Sequence, residues 1–237
     1  MLVAVSAMNG RHALSKVWAK HTASLGFDRV VVCLTSHLAP IGSDDPHPDQ
    51  SNVDACIENG IGFTFADNDP LSGKFNNALK HAMDMGATRI MILPSDDFIS
   101  PAWVEAARNT EHDYIIPHAC GVVDLPTKRA YAIVKGVTRG MRFGAGRVVS
   151  RKAVERCGGT LWPPAINRGL DTASHQCLLA HGVHLTMVPT EGIPITDVKT
   201  KDNLWPFITW QNGSQDITAE EALHMLSPEH LAELYAI

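Results

Sequence analysis

The sequence has no run of about 18 apolar residues, the length a membrane-crossing helix needs, so no membrane partner is expected. Its opening, MLVAVSAMNGRHAL, carries no basic region ahead of the apolar one. It reads as a strand rather than a signal peptide, and a cytoplasmic protein is expected. Cysteine is sparse. Cys33, Cys56, Cys120, Cys157 and Cys177 are odd in number and scattered, with no C-x-x-C pair. That pattern argues for reduced thiols and against a disulfide frame or a zinc site. None of the twelve histidines has H-x-x-x-H spacing with an acidic partner, and His175, His181 and His184 read as surface or structural residues. Internal repeats and low-complexity linkers are also missing. The 237 residues therefore suit one domain, 1–237, around one large core.

What is present is an alternation of strand and helix patterns. LVAVSA (2–7), DRVVVCLTS (28–36) and RIMILP (89–94) read as buried strands, and GIGFTFAD (60–67) as a further strand. Residues 12–25 and 74–85 have apolar side chains at helical spacing. Ser100-Pro101 opens a further helix as N-cap and first turn. The proline-rich segment 39–52 reads as a loop. Such alternation in the first 110 residues implies a mostly parallel sheet covered on both faces, with ligands beyond the carboxyl ends of its strands. Asn9-Gly10-Arg11, Asp67 and Asp96-Asp97 lie at such ends. The second half is less regular. DYIIPHA (113–119), AYAIVKG (130–136) and HLTMVP (184–189) read as strands, Arg147–Arg156 as a short helix, and Asp171 as the start of another. Thr218 with Glu221 forms a capping box, and Ser227-Pro228 another helix start. The expected fold is a Rossmann-like α/β domain with a smaller antiparallel portion.

Charge is uneven although the net value is only -5. Lys128, Arg129, Lys135, Arg139, Arg142, Arg147, Arg151, Lys152 and Arg156 are opposed only by Glu155 in that stretch. This run is either a solvated face or a groove for a polyanion. Asp96 and Asp97 are adjacent carboxylates at a strand end, which suits a hard divalent cation shared with substrate phosphates, or the capping of a turn. Asp171 is open between a helix cap and a general base. Lys74 and Asn77 begin a helix where phosphate binds well, and Arg11 has the same character. Trp205, Phe207 and Trp210 either stack on a sugar or base or pin a loop.

The order of these pieces resembles the GT-A glycosyltransferases, especially the family 2 type, over about residues 2–190. The carriers are LVAVSAMNGRHALSKVW, LSGKFNNALKHAMDMGATRIMILPSDDFISP, FGAGRVVSRKAVERCGG and NRGLDTASHQCLLAHGVHLTMVP. The resemblance implies a GT-A fold with a nucleotide-sugar-binding half (1–110) and an acceptor-side half (111–237) ending in helices. It implies that Asp96 and Asp97 bind Mn2+ or Mg2+ and through it the diphosphate of a nucleotide sugar, a UDP-sugar first. Asp171 then matches the catalytic aspartate of an inverting transfer. Asn9, Arg11, Asp67, Lys74, Asn77 and Ser95 fall on the donor side. Arg142, Arg147, Arg168, Trp205 and Trp210 fall on the acceptor side.

The sequence departs from the pattern at four points. The acidic pair before the late helix is reduced to Leu170-Asp171. Ser95 stands where the D-x-D motif has its first carboxylate. The second strand ends in Thr35-Ser36-His37 without an acidic residue. The late metal-binding histidine is missing, with Asp197 the nearest substitute. Compact enzymes of this kind also look like phage-encoded transferases acting on hydroxymethylated pyrimidines in DNA, which would place the chain in a host cytoplasm with DNA as a partner. A saccharide or small-molecule acceptor is the alternative. A nucleotidyltransferase and a non-catalytic nucleotide- or nucleic-acid-binding module are the other readings.

Overall fold

The computed structural model describes residues 1–36, 49–134, 137–138, 141–142, 144–201, 207 and 214–237, with backbone alone at 137–138 and 141–142. The first half runs β1 (Leu2–Ala7), α1 (His12–Ala23), β2 (Arg29–Thr35), α2 (Gln50–Glu58), β3 (Gly62–Ala66), α3 (Leu71–Asp84), β4 (Arg89–Ile92), β5 (Asp97–Ile99) and α4 (Pro101–Asn109). The second half runs β6 (Tyr114–Pro117), β7 (Ala119–Asp124), β8 (Arg129–Val134), β9 (Val137–Thr138), β10 (Met141–Arg142), β11 (Arg147–Ser150), α5 (Arg151–Arg156), α6 (Leu170–Ala180), β12 (Thr186–Val188), β13 (Ile195–Lys199), β14 (Gln215–Ile217), α7 (Ala219–Ala222) and α8 (Pro228–Tyr235).

The expected α/β architecture is present. A seven-stranded sheet has the order β12-β6-β11-β4-β1-β2-β3. β1, β2, β3 and β4 pair in parallel, β12 pairs in parallel with β6, and β11 runs against both of its neighbours. β1 shows why both faces are covered. Leu2 and Ala4 enter one apolar cluster, with Trp18 of α1 and Trp103 of α4. Val3 and Val5 enter the other, with Phe75 and Leu79 of α3 and Trp162. Alternate side chains of a strand point to opposite faces, so a strand that is apolar throughout needs a layer on each side.

A second, five-stranded sheet has the order β14-β8-β7-β13-β5 and is antiparallel except where β13 lies along β7. The chain passes from large sheet to small sheet at β4–β5, β6–β7 and β12–β13. These crossings lie at the carboxyl ends of large-sheet strands and form a seam. Each sheet draws strands from both halves of the sequence.

Two expectations are corrected. Arg147–Arg156 is not one helix: β-branched Val148 and Val149 belong to β11, and Ser150 then caps α5 by accepting from the Ala153 amide. The segment taken as a loop to residue 52 gives way to α2 at Gln50, whose buried face is short: Asn52, Ala55 and Cys56. The capping box at Thr218–Glu221 and the Ser227-Pro228 helix start are both formed.

Trp103 ties the seam to the core. It is fully buried, and its indole Nε1 donates to the Gly146 carbonyl at 2.8 Å. Gly146 has φ +67°, and a Cβ there would meet Ile195 and the Trp103 ring at 3.0 and 3.1 Å. Trp103→Ala is expected to cost about 3–5 kcal/mol of stability. Trp103→Phe, which leaves the Gly146 carbonyl without this donor, is expected to cost about 1–3 kcal/mol. Urea unfolding of both variants checks the order; equal losses would contradict the role given to the indole N–H.

Candidate active site at the seam between the sheets

The Pro94-Ser95-Asp96 turn carries the chain from β4 into β5. Asp97 is the first residue of β5 and lies opposite Asp197 in the antiparallel pairing of β5 with β13. The Asp96 carbonyl accepts from the Val198 amide at 2.8 Å, which locks the turn to β13. Three carboxylates are thus gathered where two sheets meet. Asp97 is buried, and its Oδ1 and the Oδ1 of Asp197 accept no hydrogen bond among the described residues.

Two cations offset this charge. The Arg11 guanidinium, from the loop after β1, bonds Asp96 Oδ2 at 2.7 Å and Ser95 Oγ at 3.3 Å. Burial works against the Arg11 charge, but Asp96 outweighs it and holds the guanidinium above its ordinary value. Lys199 lies two residues beyond Asp197, on the same face of β13, and its ammonium meets Asp197 Oδ2 at 2.5 Å. Burial opposes the Lys199 charge as well, and Asp197 and Asp96 outweigh it. Compensation is incomplete. Burial, with Asp197 and Asp96 beside it, pushes the Asp97 carboxyl well above the usual range. Burial likewise pushes Asp197 up to about 6 despite Lys199.

Asp171 faces the same region, and its charge adds to those that raise Asp97. It is not the helix cap. Gly169 holds the N-cap position of α6 with φ 68°, and Asp171 lies within the first turn. Its side chain reaches solvent, yet the protein packed around it desolvates the carboxyl and raises its pKa. Arg147 and the Gly144 amide, which donates to the carboxylate, pull it part of the way back. A Cβ on Gly144 would fall on the Asp171 carboxylate, so only glycine fits that approach.

The remaining candidates divide. Asn9 is exposed and its Oδ1 accepts from Thr35 Oγ1 at 2.9 Å. Asp67 is exposed and accepts from Ser36 Oγ at 2.8 Å. Both border the carboxyl ends of β2 and β3. Asn77 reaches the Phe65 carbonyl at 3.4 Å and so holds α3 to β3. Lys74 is not a surface residue. It is fully buried, and its ammonium bonds the Met8 carbonyl and Thr35 Oγ1, joining the ends of β1 and β2. Burial pulls it down to about 8.

Arg147 is likewise no surface contact. It is fully buried, donates to the Asp171 carbonyl at 3.1 Å and to Ser174 Oγ, and lies over the Tyr114 ring. Lys135 and Arg139 lie outside the described residues, and the described members of the rest of the basic run are dispersed. β11 pairs Arg147 with Ile92 and Ser150 with Arg89, so α5, with Arg151, Lys152 and Arg156, begins at the opposite end of the sheet. Lys128 sits over the Tyr235 ring and Arg129 over Tyr131 and Phe207. Arg168 is exposed. Phe207 stacks on Tyr131 with centroids 4.6 Å apart. Trp205, Trp210 and the Arg142 side chain lie outside the described residues.

Sequence reasoning missed Lys199, Gly144 and Asp49. Lys199 could have been found from its strand spacing to Asp197. Asp49 is buried and accepts from the Thr35 amide at 2.8 Å, closing the end of β2 where no acidic residue follows in sequence. Gly144 carries no local signal of its contact with Asp171.

No protein-family model and no curated protein sequence matches the chain. Its fold is similar to three solved structures. The inositol-1-phosphate CTP transferase from T. maritima aligns with TM-score 0.54 and 10% identity over 88% of this chain and 93% of that one. The mannosyltransferase PcManGT from Pyrobaculum calidifontis, in complex with GDP-Man and Mn2+, aligns with TM-score 0.52 and 14% identity over 99% and 73%. S. aureus TarS 1–349, in complex with UDP, aligns with TM-score 0.50 and 11% identity over 84% and 60%. At these identities the likeness is one of fold, the GT-A or nucleotidyltransferase type of Rossmann-like domain.

Asp97, Asp171 and Asp197 all have raised pKa values, so the folded chain holds protons that the unfolded chain, with carboxyls near 3.8, has released. Their contribution to stability is full below that value and is lost as pH rises through the folded values, about 6 for Asp197. Asp97→Asn removes a buried charge. It is expected to raise the melting temperature relative to wild type, by more at pH 8 than at pH 5, where the wild-type carboxyl is closer to neutral. An equal change at both pH values would contradict the buried-charge account.

Proposed function

We propose that this chain transfers a glycosyl group from a nucleoside-diphosphate sugar, a UDP-sugar first, to an acceptor hydroxyl. The carrying observation is the seam itself, with three carboxylates and two cations beyond the carboxyl ends of parallel strands and Asp171 exposed in the same region. The unpartnered buried oxygens of Asp97 and Asp197 are hard donors and fit Mg2+ or Mn2+, which take one or two protein carboxylates plus substrate phosphates. Asp97 and Asp197, with Asp96, would hold the ion, and its chemistry would be charge compensation of the departing diphosphate.

The chain's own residues account for the rest. Arg11 and Lys199 keep positive charge beside the phosphates. Asp171, whose carboxyl is raised above its ordinary value and reaches solvent, takes the proton from the acceptor hydroxyl. That oxygen attacks the anomeric carbon from the face opposite the phosphate. The sugar–phosphate bond breaks, its electron pair leaves with the nucleoside diphosphate, and configuration inverts. Gly144 and Arg147 fix Asp171 from its two sides. Donor recognition falls to Asn9, Asp67 and the seam, and the small sheet lies towards the acceptor. The division of the basic run favours a saccharide or small-molecule acceptor over duplex DNA. Among the described residues no helix is long and apolar enough to cross a membrane.

One observation favours a second reading. The loop after β1 delivers Arg11 to Asp96, and a cation there also suits the pyrophosphate released in nucleotidyl transfer. Phosphorus NMR separates the two. Nucleoside diphosphate released from a nucleotide sugar supports glycosyl transfer, whereas pyrophosphate released from a nucleoside triphosphate and a sugar 1-phosphate supports the alternative and overturns the first reading.

Asp171→Asn is expected to lower turnover by about 10²–10⁴-fold with donor binding retained. Calorimetric titration of the nucleotide beside the turnover assay checks this, and retained turnover would remove Asp171 from the chemistry. Gly144→Ala, by displacing the same carboxylate, is expected to lower turnover by about 10²-fold with little change in donor affinity.

A further inference from the structure

Cys157, Cys177 and His181 look unrelated in the sequence, but α5 and α6 bring them together. Cys157 is the C-cap of α5, Cys177 lies in the last turns of α6, and His181 is the C-cap of α6. One ligand atom from each lies within 4.8 Å of the other two. Cys177 Sγ is 4.0 Å from His181 Nδ1, as expected for residues four apart on one helix face. His181 Nδ1 is 2.8 Å from the Cys177 carbonyl. A proton on Nδ1 donated to that carbonyl fixes the tautomer and leaves Nε2 as the ligating nitrogen, the usual way an outer hydrogen bond orients a metal-binding histidine.

We propose that Cys157, Cys177 and His181 form a zinc site with an open fourth position. Two sulfurs and an imidazole are soft to borderline donors, suited to Zn2+ and poorly suited to Mg2+ or Mn2+. Zn–S and Zn–N bonds of about 2.3 and 2.0–2.1 Å in a tetrahedron place ligand atoms about 3.4–3.8 Å apart. The present spacing, within 4.8 Å, is about 1 Å wider than that range at most. Burial is graded across the site, with Cys157 buried, Cys177 half-buried and His181 exposed, which leaves a solvent side for entry and for a water ligand. Zinc binding releases both thiol protons to solvent and leaves two thiolates on the ion.

The site has a structural consequence. α6 buries only Ser174 and Leu178 among its described side chains, so little apolar packing holds it. An ion bridging its last turns to the end of α5 clamps the helix whose first turn carries Asp171. The proposal concerns different residues and a different ion from the acidic seam, and does not depend on the function assigned there.

The test is a ZnCl2 titration of the full chain kept reduced with a phosphine, against a chromophoric zinc indicator. One equivalent is expected to bind, with a rise in melting temperature of about 5–10 °C at a hundredfold excess over the dissociation constant. Cys177→Ser and the exposed His181→Ala are each expected to lose at least about tenfold in affinity, while Asp97→Asn keeps it. Co2+ substitution should give a thiolate-to-cobalt charge-transfer band that Cys177→Ser weakens. Three results would overturn the proposal: no uptake by the reduced chain, uptake unchanged in both variants, or a Cys157–Cys177 disulfide formed on mild oxidation by a chain that takes up no zinc when reduced.

Discussion

The structure depends on a charge balance that is struck where the two sheets meet. β4 is a short central strand, Arg89 followed by three buried apolar residues, that ends between the two sheets. The chain then turns through Ser95 and Asp96 and is captured by β13, which places Asp97 against Asp197. Carboxylates so close and so buried are unfavourable unless cations or a ligand offset them. Arg11 from the β1 loop and Lys199 from β13 do so in part, and in doing so they tie three separate stretches of chain together. Under the function proposed above, what stays uncompensated is what a divalent cation would offset.

Asp171 illustrates a second constraint, that of approach. A carboxylate that is to stay open to solvent needs support that does not cover it. The support comes from below and from the side: Arg147, buried under the first turn of α6, and the backbone of Gly144, which comes closer than any Cβ would permit. Arg147 in turn begins β11, the one strand running against its neighbours in the large sheet, so the reversal of β11 is what sets the arginine beneath α6. A residue that reads in sequence as part of a basic surface is thereby an internal post.

Nearness in sequence and nearness in space diverge in both directions. Of the basic residues that share one stretch, Arg129 falls in the small sheet, Arg147 in the large one, and Arg151, Lys152 and Arg156 in a helix at the far end of β11. Cys157, Cys177 and His181 share no sequence pattern and meet because α6 packs beside the end of α5. Likewise Lys74, at the start of a helix that could have faced solvent, turns inward to join the ends of β1 and β2. A lysine with a long apolar stem and a strand-end carbonyl within reach satisfies both parts of its side chain there.

The sequence by itself determined the α/β class, the strands β1 to β4, helices α1, α3 and α4, and the late caps at Thr218 and Ser227. Each of these follows from local rules: unbroken β-branched runs, apolar spacing along a helix, and side chains that bond the first free amides. It also marked Asp96, Asp97, Asp171 and Asp197 as the carboxylates to watch. Only the tertiary structure decided which of them share a region, that Arg11 and Lys199 stand against them, that Asp171 is no cap, and that Arg147 and Lys74 face inward. Those are outcomes of sheet pairing and of burial, which act between residues as far apart as Arg11 and Asp96 or Gly144 and Asp171. Local propensity carries no information about such distances, because the energy that fixes them arises only when apolar faces pack and buried charges must find partners.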